Sequence, residues 1–361
     1  MPRYCHGGGI HQAAAELQRP VAELLDFSAS INPLGMPATV RVAAEAALDE
    51  SIHYPEIHAE SLVAALASHH HLDPHHFLPG NGSTPLFALF ARTLRPRRAL
   101  VVRPAFSEYQ RALQLAGTAI DFFDLTPEND FALNPAQLLQ QITPMTDLLL
   151  LANPGNPSGA RIEATTILAL AHALREQALV AVDEAFIDFS PDASILSAVT
   201  NQPNLYVFRS MTKFYAIPGL RVGYLAGPQT GIARLQAEAE AWALSTVAMA
   251  AAKAALTATA YREESLSLIP QLRTQLADGL RALGLHVFPS VANYLLVRLE
   301  EARADEIVKA LRQEGILLRS CSNFPPLDGH YLRLAVRTAT ETERLLAALR
   351  KYFAQPQIIT R

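Results

Sequence analysis

Six short, largely apolar runs, at residues 99–102, 120–123, 148–152, 179–182, 205–208 and 222–226, constrain the fold of this 361-residue chain more than any other feature. A strand with one solvated face alternates apolar and polar side chains, whereas these runs do not alternate. They suit strands buried on both faces. Helical patterns lie between several of them, for example at 165–177. Buried strands alternating with helices predict an α/β fold built on a mostly parallel sheet covered on both sides. Open sheets of that kind bind ligands at the carboxyl ends of their strands. The polar residues that directly follow the apolar runs are therefore the first to inspect.

The flanking regions read differently. Residues 1–37 are rich in Gly, Pro and Asn and are expected to form an arm or loop, not a packed unit. Residues 37–49 read as a helix with Val40, Ala43, Ala44, Ala47 and Leu48 on one face. Helix-rich sequence spans 232–283 and contains the only tryptophan, Trp242. Strands at 286–288, 294–299, 316–319 and 331–335, with helices at 304–314 and 341–352, then predict a smaller α+β unit. The expected division is an arm at 1–36 that joins the small domain, a large domain at 37–260 and a small domain at 261–361. The last residues, 355–361, are expected to fray.

Composition narrows the function class. Lys and Arg total 30 against 34 Asp and Glu, a formal charge of −4, and there is no basic block. That balance offers no electrostatic footprint for nucleic acid. Two cysteines, Cys5 and Cys321, cannot build a disulfide framework and have no metal spacing. No apolar run approaches the length of a membrane span, and the first ten residues lack the apolar core of a secretory signal. A soluble cytoplasmic protein, with no membrane partner, is the expectation. His69, His70, His71, His75 and His76 read as a polar helix end and loop, because adjacent histidines on a helix point in different directions; no metal is expected.

Four segments carry polar chemistry at strand ends. In Gly80-Asn81-Gly82-Ser83-Thr84-Pro85, Pro85 suits a first helical position with Thr84 as its cap, and the free amides and hydroxyls there form an anion site. Asn153-Pro154-Gly155-Asn156-Pro157-Ser158-Gly159 directly follows an apolar run and offers amide donors. Asp183 and Glu184 close another run, where a carboxylate can pair with a buried cation. Ser210-Met211-Thr212-Lys213 precedes Gly219-Leu220-Arg221, and a lysine placed after a buried strand can be desolvated, which frees its amine as a nucleophile. Alone, each segment also has an ordinary structural reading: a capped helix, a Pro/Gly turn, a loop carboxylate, a surface lysine.

Together, in this order, the segments resemble the fold-type-I pyridoxal-phosphate enzymes, the aspartate-aminotransferase-like family, and the resemblance covers essentially the whole chain. It implies pyridoxal 5'-phosphate held by residues of the large domain. Lys213 would form an imine with its aldehyde and Asp183 would face the pyridine nitrogen. Asn156 would bond the ring's phenolic oxygen, with Phe186 nearby, and Tyr109 would stack on the ring. Gly82, Ser83, Ser210, Thr212 and Arg221 would hold the phosphate. Tyr54 would reach that phosphate from the other subunit of a homodimer.

Within the family the chain looks most like the threonine-phosphate decarboxylases of cobalamin synthesis, which are close to the histidinol-phosphate aminotransferases. The features that favour the decarboxylases are His6-Gly7-Gly8, Phe186 where the aminotransferases usually have Tyr, and the segment from Leu318 to Phe324 followed by Tyr331-Leu332-Arg333. The implied substrate is L-threonine O-3-phosphate. Its carboxylate and phosphate would meet His6, Gly7, Ser30, Asn156, Arg319 and Arg333. In one place the chain departs from the pattern: Ser30 stands where the decarboxylases carry a substrate-contacting Asn, a change that bears on substrate preference. The alternative activity is that of a histidinol-phosphate aminotransferase.

Overall fold

The computed structural model of the chain describes residues 7–300 and 303–354. Near the start lie a helix, α1 (Ile10–Leu17), and a two-residue strand, β1 (Leu25–Asp26). Residues 1–37 were expected to be irregular; instead α1 buries Ala13 against Leu24 and Leu317. Helices α2 (Ala38–Ala46) and α3 (Glu60–His70) follow. α2 stops short of the expected 37–49, and its continuation is a 3-10 turn at Asp49–Ile52.

A seven-stranded sheet forms the centre of the molecule. Its strands are β2 (Phe77–Gly80), β3 (Arg98–Arg103), β4 (Ala119–Asp124), β5 (Leu148–Ala152), β6 (Leu179–Asp183), β7 (Leu205–Ser210) and β8 (Gly223–Ala226). They lie in the order β2-β8-β7-β6-β5-β3-β4. β8 is antiparallel to both neighbours and every other pair is parallel. Side chains alternate between faces along each strand. Val180, Val182 and Val207 meet one core with Ile167 and Leu170, while Ala181, Tyr206 and Phe208 meet the other. Both faces are thus covered, which is why the runs lack polar alternation. Helices α4 (Ser83–Leu94) and α5 (Ser107–Leu115) supply Phe87, Phe90 and Leu113 to the second core. α4 begins at Ser83 with Gly82 as its cap, not at Pro85 behind Thr84 as expected. Pro85 fits inside the first turn because amides there have no partner within the helix.

The C-terminal strands are β9 (His286–Val287), β10 (Tyr294–Arg298), β11 (Ile316–Leu317), β12 (Arg319–Ser320) and β13 (Tyr331–Ala335). Four form an antiparallel sheet in the order β12-β13-β10-β9. The single strand expected at 316–319 is broken at Leu318. β11 pairs in parallel with β1, and β12 pairs with β13 so that Arg319 stands opposite Arg333. The early histidines go separate ways: His70 Nε2 meets the Tyr224 hydroxyl at 2.7 Å, His75 meets Asp73, and His76 meets the Gly227 carbonyl. Among the described residues no helix is long and apolar enough to cross a membrane.

Candidate active site

The parallel strands place Arg103, Ala152, Asp183 and Ser210 at one end of the sheet. A cavity of about 600 Å³ opens there, with residues from the loop after β1 on one side and Arg319, Phe324 and Arg333 on another. Lys213 reaches it from the short helix Met211–Phe214 that directly follows β7. The lysine amine donates to Thr212 Oγ1 at 2.9 Å, and that oxygen lies 2.7 Å from Ser210 Oγ. Burial of the amine, with the nearby charges of Arg221 and Arg333, lowers Lys213 to about 8 despite the opposing pull of Asp183.

An anion cradle lies beside the lysine. The chain leaves β2, turns at Gly82 with φ of 80°, and enters α4 at Ser83 and Thr84, both on the cavity wall. The guanidinium of Arg221 lies against this turn, where a Cβ at Gly82 would collide with its Nη2. Gly82 is thus needed both for its left-handed backbone and for the close approach. Ser210 shares the wall, while Gly82 and Thr212 support it from behind. Free amides at a helix start, hydroxyls and an arginine fork form a donor set suited to phosphate.

Asp183 is buried at the end of β6, and that burial raises its pKa. Two donors oppose the shift: the Ala185 amide at 2.9 Å and the hydroxyl of Tyr109, which donates to Oδ2. Tyr109 was expected to stack in the cavity, and the structure places it elsewhere. α5 starts at Ser107, so Tyr109 falls in its first turn, tilted against Phe87 at 4.8 Å with its hydroxyl aimed at the carboxylate. Phe106, the last residue before the helix, takes the cavity wall instead. Burial and the Asp183 charge hold the tyrosine hydroxyl well above its ordinary pKa, so it is a donor throughout the neutral range. Tyr109→Phe should therefore cost about 2 kcal/mol of stability, as loss of a donor to a charged acceptor does, and should raise the Asp183 pKa further. Urea unfolding of the two proteins measures the first effect, and coincident midpoints would contradict it.

The opposite wall is cationic. Arg333 is buried; its Nη1 donates to Asn156 Oδ1 at 2.7 Å and its Nη2 to the Ser28 carbonyl at 2.9 Å, while Nε has no partner among the described residues. Arg319, its cross-strand neighbour, donates to Asn323 Oδ1 at 2.7 Å and lies 5.1 Å from the Phe324 ring. Ser30 Oγ is buried on the same wall without a partner among the described residues. Phe186 packs edge-on against Tyr294, and the Lys213 amine lies 5.8 Å from its ring centre. Gly7 lines the cavity, and His6 lies outside the described residues. Tyr54 is 84% exposed, rests on Trp242 at 5.1 Å and does not line the cavity of its own chain. Phe106, Asp26, Ser28 and His11 are wall residues that the sequence reading did not single out. For Asp26 and Ser28 the signal was present, since Asp two residues before Ser is a local turn pattern.

The family model described as aminotransferase class I and II matches residues 22–349. The chain belongs to this family. Among its members, a threonine-phosphate decarboxylase from Salmonella typhimurium is 40% identical over 349 residues, covering 96% of this chain and 95% of the relative. A histidinol-phosphate aminotransferase from Ralstonia nicotianae is 33% identical over 363 residues, covering 98% and 95%. The crystal structure of L-threonine-O-3-phosphate decarboxylase from Porphyromonas gingivalis superposes with a TM-score of 0.82 at 26% identity, covering 92% of this chain and all of that one. The mostly parallel α/β sheet expected from the apolar runs is present, and the family is the one the motif resemblance implied.

Proposed function

We propose that the chain catalyses the pyridoxal-phosphate-dependent decarboxylation of L-threonine O-3-phosphate to CO2 and (R)-1-amino-2-propanol O-2-phosphate, which serves the aminopropanol arm of cobalamin. The observation that carries the substrate is the pairing of Arg319 with Arg333 on the cavity wall. Like charges directly opposite on paired strands repel. A substrate with two anionic groups, one of them a phosphate, relieves that repulsion and satisfies the unpaired Arg333 Nε. Of the relatives described above, the one with the higher identity is a threonine-phosphate decarboxylase.

The residues fit the cofactor. The turn cleared by Gly82, with Ser83, Ser210 and Arg221, would hold the phosphate, Thr212 would support it, and Asp183 would stand at the pyridine nitrogen. Phe106 and Phe186 would bound the ring and Asn156 would meet its phenolic oxygen. When bound, pyridoxal 5'-phosphate supplies an electron sink for the pair released when a bond to Cα breaks. Lys213 would hold the cofactor at its aldehyde end, and its amine would carry a proton to the substrate Cα. Arg319 and Arg333, fixed on adjacent strands, set which Cα bond is presented for cleavage. Ser30 offers its unpaired hydroxyl to the substrate, as does the Gly7 backbone. We further propose a homodimer: Ile52, Tyr54, Ile57 and Trp242 expose an apolar surface, from which Tyr54 would reach the partner's phosphate site.

Incubation of the cofactor-loaded enzyme with phosphothreonine should release CO2 and the amino alcohol phosphate in equal amounts. Release of no CO2, with formation of a keto product from histidinol phosphate and an amino-group acceptor, would assign the chain to the aminotransferases instead.

A further inference from the structure

Asp26 has no place in the chemistry above, yet it makes more hydrogen bonds than any other acid on the cavity wall. Its backbone is pinned by β11, just before the strand that carries Arg319, and next to it Phe27 meets the end of β13, which carries Arg333. Asp26 pairs with Leu317 in β11, two residues before Arg319. The next residue, Phe27, donates to the Leu317 carbonyl at 2.8 Å and accepts from Ala335, the last residue of β13, at 2.9 Å. From this fixed point Asp26 Oδ1 accepts from the Ser28 amide at 2.8 Å, the Ser28 hydroxyl at 2.6 Å and the Ala29 amide at 3.2 Å. Ser28 thereby loses its freedom, and both of its oxygens are put to use. Its carbonyl receives Arg333 Nη2 at 2.9 Å, and its hydroxyl oxygen receives the Gly8 amide at 2.9 Å. Gly7 packs so closely on that carbonyl that a Cβ would collide with it.

Two independent parts of the substrate wall, the Arg333 fork and the end of the N-terminal arm, therefore hang on one carboxylate oxygen. The arrangement also answers an electrostatic problem. A carboxylate bonded directly to Arg333 would compete with an anionic substrate. Asp26 instead acts on the guanidinium from one residue away, through a neutral carbonyl, which leaves Nε open.

We propose that Asp26 is a positioning residue: through Ser28 it holds Arg333 and the arm at residues 7–9 in the substrate-binding arrangement. The inference rests on the substrate reading given above. The test uses Asp26→Ala, Asp26→Asn, Ser28→Ala and the double Ala variant in cofactor-loaded enzyme. Asp26→Ala should raise KM for phosphothreonine about tenfold, the worth of one strong hydrogen bond, with kcat within about threefold of wild type and the absorption of the bound cofactor unchanged. Asp26→Asn keeps an acceptor oxygen and should return KM to within about threefold. Ser28→Ala should show a smaller rise, and the double variant should be no worse than Asp26→Ala, because the two residues act in one chain. An unchanged KM in Asp26→Ala, an Asn variant as poor as Ala, or additive effects would each overturn the proposal.

Hydrogen exchange of the peptide spanning residues 7–17, measured without substrate, separates this inference from the substrate reading. Faster exchange in Asp26→Ala and Ser28→Ala is expected. Unchanged exchange in both overturns the strap even if phosphothreonine proves to be the substrate, whereas faster exchange supports it even if another anion does. Should Asp26→Ala fail to fold, Ser28→Ala and Asp26→Asn carry the same comparison.

Discussion

Lys213→Ala should lower turnover of phosphothreonine on the order of 10⁴-fold, the loss of both a covalent anchor and a positioned proton carrier. The bound cofactor should lose the absorption that depends on its link to the lysine, although the Gly82–Ser83 turn and Arg221, the phosphate site proposed above, should still retain it. The wild-type amine is prepared for this role. At a pKa of about 8, set first by burial and then by Arg221, about one tenth of it is neutral at pH 7, against about three in ten thousand for a solvated lysine. The rate at which apoprotein takes up the cofactor should accordingly climb about tenfold per pH unit below 8 and level off above it. A climb that continues to pH 10 would mean that the amine is not desolvated as described. Retention of turnover in Lys213→Ala would remove the lysine from the chemistry altogether.

How much of this was legible before the structure follows from what each residue's signal depends on. β5 and β13 carry strong local signals: Leu148–Ala152 is wholly apolar, and Tyr331–Ala335 is apolar but for Arg333. The strand at Phe77–Gly80 was missed because half of it is Pro and Gly, which read as a turn although all four residues are buried. α1 was hidden by the glycines before it, and its stability comes from contacts with Leu24 and Leu317, one of them some 300 residues away. Lys213, Asp183 and Arg221 stood out because each sits near a strand end in a recognisable order. The exchange of Tyr109 for Phe106 on the cavity wall was not legible, because it depends on the helix starting at Ser107 and so on a rotation of about 100° per residue thereafter. The link from Asp26 to Arg333 spans β1 and β13, and no local pattern records it. Its local half, the turn between Asp26 and Ser28, was present in the sequence but acquires meaning only once Arg333 is seen to lean on it.

Asp183→Asn should leave the cofactor bound and remove most of the turnover. The substitution keeps the shape and an oxygen for the Tyr109 hydroxyl, deletes the charge, and gives up the second acceptor, which meets the Ala185 amide. A unit charge about 4 Å from a protonated ring nitrogen is worth about 4 kcal/mol at an effective dielectric of 20, so a loss of about a thousandfold is expected. Tyr109→Phe, which weakens the same carboxylate without deleting it, should cost about tenfold at most. The ordering of the two variants matters more than either value. If both fell equally, Tyr109 would be acting on something other than Asp183. A second measurement has its sign set by the geometry. Asp183 favours the charged form of Lys213, so Asp183→Asn should move the amine to a pKa below 8 and shift the pH dependence of cofactor uptake the same way. Turnover within tenfold of wild type, or an uptake profile shifted upward, would show that Asp183 does not supply the charge on which both the ring and the lysine depend.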